Sequence, residues 1–221
     1  MNTLVVYCHP HDGSHNYRIR EAVIRGLTSA GVAHEVLDLY RAGFAPALMA
    51  AEYASAFITR DKTMTPDVQA LQQKVADAKN LIFIYPVWWY TMPALLKGFL
   101  DRVFTAGFAY RFRRTGRLLN FLGALVSFFP GFRYLVQPYA AQGLLRGKRA
   151  YIFRTYGGPP AGRRIFGNKP AALEQVVLRF CGITRIRIYE LYNLNTSFHT
   201  PAAEKSFLRQ AERVAAKVRN R

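Results

Sequence analysis

LIFIYPVWWYTMPALLKGFLDRVF, residues 81–104, runs from an unbroken apolar stretch into two tryptophans, a tyrosine and a proline, and then into a helical pattern. Leu81–Tyr85 is apolar throughout, as a strand buried on both faces of a parallel sheet must be. Thr91 and Pro93 carry the opening signals of a helix. Leu96, Phe99, Leu100, Val103 and Phe104 then recur along one face of it. The loop between them holds Trp88, Trp89 and Tyr90, large aromatics that can wall a flat ligand at the carboxyl end of a strand.

The same strand–loop–helix unit recurs on both sides. Leu4–Cys8 is a short apolar run, followed by a polar loop and a helix whose stripe is Ile19, Val23 and Leu27, ended by Gly31. Glu35–Tyr40 reads as a strand, and Thr65-Pro66 opens a helix that reaches about Lys79. The stretch from Arg41 to Thr65 gives no clear pattern. Arg149–Thr155 reads as a strand, Pro170–Phe180 as a helix, and Thr184–Leu191 as an edge strand in which Ile186 and Ile188 alternate with Arg185 and Arg187. Thr200-Pro201 caps a last helix. Five strands separated by helices predict one α/β domain over 1–221, a parallel sheet with helices on both faces. Ligands of such sheets bind beyond the carboxyl ends of the strands.

Three carboxyl-end loops carry unusual chemistry. HPHDGSHNY (9–17) leads into a helix start, where free backbone amides, Ser14 and Asn16 suit a phosphate. It matches neither the P-loop nor the G-x-G-x-x-G pattern. The second loop is Pro86–Thr91. The third, TYGGPPAGRR (155–164), places Gly157-Gly158 for close backbone approach, with Arg163 and Arg164 able to neutralise an anion.

Composition narrows the class. With 31 Lys+Arg against 13 Asp+Glu the net charge is +18, and no acid occurs between Asp101 and Glu174. Such a field attracts phosphates or anionic lipid. A nucleic-acid partner is not expected, because no recognition motif accompanies the charge. Cys8 and Cys181 lack metal-ligand spacing, no metal site is expected, and both read as buried thiols of a cytoplasmic protein. The amino terminus reads as lacking an export signal.

YCHPHDGSHNY, YPVWWYTMPALLKGFLDRVFTAGFAY, GLLRGKRAYIFRTYGG and CGI, in that order, resemble the flavodoxin-like NAD(P)H:quinone oxidoreductase family, which includes DT-diaphorase and ancillary subunits of potassium-efflux systems. The resemblance implies a five-stranded sheet of order 2-1-3-4-5, a bound FAD or FMN, and a homodimer. By position, it puts His9, Ser14, His15 and Asn16 on the flavin phosphates. Pro86, Val87, Trp88, Trp89 and Tyr90 would follow the ring, and Thr155, Tyr156, Gly157 and Gly158 its pyrimidine end. It also implies ping-pong hydride transfer from NADH or NADPH to a quinone or similar acceptor, with Tyr156 near the reacting ring. Enzymes of the family it resembles carry a tyrosine and a histidine after Gly-Gly; here PPAGRRIFGN follows, so Arg163 becomes the candidate fixed positive charge. The family also implies an alternative, a regulatory flavoprotein subunit docked on a membrane transporter.

Residues 111–142 form an insertion between the third helix and the fourth strand of this scheme. Its residues 118–132 carry no charge and follow Arg111, Arg113, Arg114 and Arg117. As a helix that run spans about 22 Å, short of the roughly 30 Å of a bilayer core. It reads as a membrane-surface segment, a lid, or a dimer element. The expected location is the cytoplasm, with peripheral attachment to the inner face of the membrane as one outcome.

Overall fold

Every residue of Thr3–Tyr7 and of Asn80–Pro86 is buried, as the apolar runs that begin at Leu4 and Leu81 require. The structure, a computed structural model, describes residues 2–55, 64–114, 139–162 and 172–218. Its elements in order are β1 (Thr3–Tyr7), α1 (His15–Ser29), β2 (His34–Asp38), a short α2 (Ala50–Tyr53), α3 (Pro66–Asp77) and β3 (Asn80–Pro86). Then come α4 (Ala94–Val103), β4 (Tyr110–Arg114), β5 (Tyr139–Gly143), β6 (Arg149–Thr155), a π-helical segment (Ala172–Leu178), β7 (Arg185–Leu191) and α5 (Pro201–Ala216).

The main sheet has the order β2-β1-β3-β6-β7, parallel throughout. With β6 and β7 as its fourth and fifth strands, this is the expected order. The chain reverses direction across the sheet between β1 and β3, so the loops after these two strands open a crevice at the carboxyl rim. One face packs Leu4, Phe83 and Ile152 under α3 and α4; the other packs Val5, Ile82 and Phe153 under α1 and α5.

Helix α1 follows its sequence signals closely. Ser14 caps it, its hydroxyl accepting from the amide of Tyr17 at 3.0 Å, and Ile19, Val23 and Leu27 are buried. Against α5 the approach is tight at Gly26, where a Cβ would stand 2.2 Å from the carbonyl oxygen of Glu212. Gly26→Ala is therefore expected to lower stability by roughly 1–3 kcal/mol, seen as a reduced urea midpoint with an unchanged slope.

Several local details differ from expectation. Thr65 stands at the N-cap of α3, yet its hydroxyl donates to Glu52 Oε1 at 2.7 Å instead of capping the helix. The segment before β7 winds as a π-helix over Ala172–Leu178. The ends of the insertion pair as an antiparallel ladder, Tyr110 opposite Gly143 through Arg114 opposite Tyr139. The uncharged run 118–132 lies outside the described residues, as do Arg163 and Arg164. Among the described residues, no helix is long and apolar enough to cross a membrane.

Candidate functional site at the carboxyl rim

A cavity of about 440 Å³ opens at the carboxyl ends of β1, β3 and β6, within the range of small-molecule sites. The first loop contributes His9, Ser14, His15 and Asn16, and the second Pro86, Val87, Trp88 and Trp89. Thr155 and Gly157 come from the third. The loops are tied to one another as well as to the sheet. The amide of Val87 donates to the carbonyl of Thr155 at 2.8 Å, and Asn16 Nδ2 donates to Thr155 Oγ1 at 2.8 Å.

Asn16 is 2% exposed, and its Oδ1 is buried with no hydrogen-bond partner among the described residues. An acceptor buried at a cavity wall is costly unless a donor meets it there. Just beside it the amides that open α1 point outward, as at any helix start. His9 stands 6.0 Å from Trp88, ring centre to ring centre. Burial holds its pKa below the ordinary histidine value, so at neutral pH it presents an uncharged ring. The polar pull on an anion in this cavity comes from the helix start.

The tryptophan loop closes on itself. Trp88 and Thr91 exchange two backbone hydrogen bonds of 3.0 Å each, and the two residues between them, Trp89 and Tyr90, have φ of 50° and 59°. Side-chain-bearing residues pay about 1–2 kcal/mol to stand in that region. Trp89 is 95% exposed, so little within the described chain offsets the strain. Such strain collects at functional sites. Trp89→Gly is expected to raise stability by about 0.5–1 kcal/mol, measured as a higher melting temperature.

Tyr90, Tyr156 and Gly158, three of the expected ligand contacts, do not line the cavity. Tyr156 is buried and stacked on Tyr192 at 4.4 Å, and its hydroxyl donates to Glu190 Oε1 at 2.8 Å. Burial drives its pKa upward. Arg154 donates from Nε to the same Glu190 oxygen at 2.8 Å, and Tyr192 donates to Oε2 at 2.8 Å. Burial alone would raise Glu190; the bonds from Tyr192 and Tyr156 and the charge of Arg154 outweigh it and hold the carboxyl below its usual range. Tyr156 thus braces the third loop from behind.

A fourth loop completes the wall and was not singled out in the sequence. Leu194 and Asn195, between β7 and α5, line the cavity. The amide of Asn195 donates to the carbonyl of Gly157 at 2.9 Å, and a Cβ on Gly157 would lie 2.8 Å from Asn195 Nδ2. The available signal was topological, because every carboxyl-end loop of a parallel sheet reaches the same rim. Behind His15, Glu204 of α5 lies 2.8 Å from His15 Nδ1 and 2.9 Å from Arg18 Nε, with His199 Nε2 at 3.5 Å. Arg18 supplies the positive charge that this buried carboxylate needs. Cys8 and Cys181 are both buried, and burial pushes each thiol up to about 12.

A larger groove, about 920 Å³, lies at the opposite rim, between the amino ends of β6 and β7. Size does not make it the ligand site of this fold; the crevice at the reversal of strand order is at the other end.

Known proteins agree with this architecture. A family model described as a flavodoxin-like fold matches residues 1–218. NAD(P)H dehydrogenase (quinone) 1 of Cavia porcellus is 33% identical over 123 residues, 49% of this chain and 45% of that protein. The crystal structure of Smu.1420 from Streptococcus mutans UA159 has a TM-score of 0.75 and 27% identity, covering 98% of this chain and 99% of that one. An FMN-dependent NADH-azoreductase from Bacillus anthracis str. Ames Ancestor, solved in complex with FMN, has a TM-score of 0.67 at 14% identity, covering 98% and 99%. The curated relatives are matched over 45% to 63% of their own length. The strand order, the crevice at its reversal and the match along almost the whole sequence lead to one conclusion: the chain belongs to the flavodoxin-like family.

Proposed function

We propose that this protein is a flavin-dependent NAD(P)H oxidoreductase that passes two electrons to a quinone or a similar small acceptor. One observation carries the reading. Residues that the family resemblance assigns to a flavin, from His9 through Gly157 and from three separate loops, line a single cavity at the reversal of strand order. The names of the relatives, a quinone dehydrogenase and an FMN-bound azoreductase, point the same way.

Bound FAD or FMN would supply the hydride-accepting and hydride-donating centre of a ping-pong exchange between NADH or NADPH and the acceptor. The chain's own groups bind and orient. Asn16 Oδ1 offers an acceptor inside the wall, and the start of α1 offers amides to a phosphate. The indole of Trp88, 41% exposed, gives the cavity an aromatic side. Gly157 keeps Asn195 close enough to close the far end. Tyr90, Tyr156 and Gly158 hold the loops rather than the ligand in this reading. Arg163 is assigned the fixed positive charge near the ring, and Arg163→Ala with unchanged NAD(P)H turnover would remove that role. A bare Trp89 at the lip also favours a second subunit covering it, hence a homodimer.

Purified protein should be yellow, and denaturation should release a flavin whose mass separates FAD from FMN. It should consume NAD(P)H with a soluble quinone. A colourless protein that takes up neither flavin overturns the reading. Tight flavin binding with negligible turnover would replace it with a regulatory subunit of a transporter.

A further inference from the structure

We propose that the amino-terminal end of the β7 edge docks on an anionic lipid surface. The proposal does not depend on the flavin reading, because it concerns the opposite rim of the sheet. The groove there is bordered by Arg149, Arg185, Arg187 and Lys217. None of these four side chains has a hydrogen bond, an ion pair or a ring contact among the described residues. By contrast, Arg18, Arg20, Arg25, Arg41, Lys74 and Arg102 each have a carboxylate partner among the described residues. Four unopposed charges around one depression form a seat for several anionic groups at once.

The apolar neighbours decide which kind of anion. Phe180 follows the π-helical segment, and the chain passes from it through Cys181–Thr184 directly into β7. Thr184 itself borders the groove. Phe180 is 41% exposed, Phe112 on β4 is 58% exposed, and Val176 is 63% exposed. Phe112 and Phe180 both lean on Tyr110, with ring centres 5.6 and 4.8 Å away. A soluble phosphate would need the cations alone. Tyr110 packs on the α3/α4 face of the sheet, whereas Tyr151 and Val218 of the groove pack on the α1/α5 face, so the rings and the cations flank the β7 edge from its two sides. A bilayer interface meeting that edge takes both, with arginines at the head groups and aromatic rings at the acyl boundary.

The direction of the strands has a consequence. A β6 of seven residues spans about 20 Å at roughly 3.3 Å per residue. Docking at the amino ends therefore holds the cavity of the carboxyl rim off the lipid, facing the aqueous side. The contact is a tether, and the described rim does not feed lipid-soluble acceptors straight into the cavity.

The test is co-sedimentation of the full chain with vesicles of phosphatidylcholine alone and of phosphatidylcholine with 30%, or about that fraction, phosphatidylglycerol. Binding is expected to the anionic vesicles and to weaken with salt. Arg185→Glu/Arg187→Glu should reduce it about tenfold or more, at roughly a factor of five per basic residue near the surface. Phe112→Ser/Phe180→Ser should reduce it independently of salt. Both pairs are exposed, and a wild-type circular dichroism spectrum and melting temperature confirm that each variant is folded. Millimolar glycerol phosphate should not compete; full competition would identify a soluble phosphate ligand and overturn the lipid surface. Wild-type protein that binds neither vesicle overturns the proposal, as does an Arg185→Glu/Arg187→Glu variant that binds normally. If vesicles are ignored while Phe112→Ser/Phe180→Ser turns a larger assembly into a smaller one, the face joins copies of this chain, and the lipid proposal is wrong.

Discussion

Arg102→Met, with Glu52 left in place, is expected to lower the free energy of unfolding by about 3–5 kcal/mol, read from urea melts at neutral pH. Both side chains are almost fully buried, at 5% and 2% exposure. Arg102 gives Nε to Glu52 Oε2 at 2.9 Å, Nη1 to the carbonyl of Ala45 at 2.8 Å, and Nη2 to Asp67 Oδ2 at 2.9 Å. Removing the guanidinium strands a carboxylate in a place that water does not reach. The pair as such is worth much less than this loss, so Arg102→Met combined with Glu52→Gln should recover a good part of it. The pH dependence gives a second signature. The hydrogen bond from Arg102, acting against burial, holds Glu52 below the ordinary carboxylate pKa. In the wild type that contribution is present above the unfolded-state pKa and is lost as the pH falls through the folded value. Without Arg102, burial is no longer opposed by that bond and Glu52 titrates higher, so the variant's deficit should shrink on acidification. A deficit that is small and independent of pH would mean that the ion pair contributes nothing to the fold.

The same residues show where the sequence stops being readable. β1 and β3 were legible because burial on both faces leaves an unbroken apolar signature, and α1 because its cap and stripe agree. Arg41–Thr65 had no pattern, and what holds its described part, residues 41–55, is long-range: Glu52 answers Arg102 fifty positions later, and Gly98 lets Pro46 approach so closely that a Cβ would stand 2.2 Å from its carbonyl oxygen. Neither contact has a local period. The site was legible in a similar way. His9, Asn16, Trp88 and Gly157 stand at strand ends, and strand ends can be counted. The family resemblance puts Tyr156 on the ligand by position; its stacking on Tyr192 and its bond to Glu190 depend on β7 lying beside β6. Leu194 and Asn195 carry no motif, only a position in the topology.

Asn16→Leu is expected to weaken flavin binding about tenfold to a hundredfold, the scale of one or two buried polar groups left unpaired, measured by quenching of FMN or FAD fluorescence. Asn16 acts in two directions. Its Nδ2 is committed to Thr155 Oγ1, which fixes the amide's orientation, and its Oδ1 is left buried with no partner among the described residues. A ligand donor at the wall would satisfy that oxygen, whereas a leucine of similar size would leave the donor and Thr155 both unmet. Thr155→Val separates the two jobs. It removes the anchor but keeps the Asn16 carbonyl oxygen, so the amide can turn, and a smaller loss, about threefold to tenfold, is expected from orientation alone. The ratio of the two effects is the informative quantity. If both variants weaken flavin equally, Asn16 serves only by joining α1 to β6. If neither changes the affinity while the melting temperature of each falls, the free oxygen faces no ligand, and the binding surface must be sought further along the rim, toward Trp88 and Leu194.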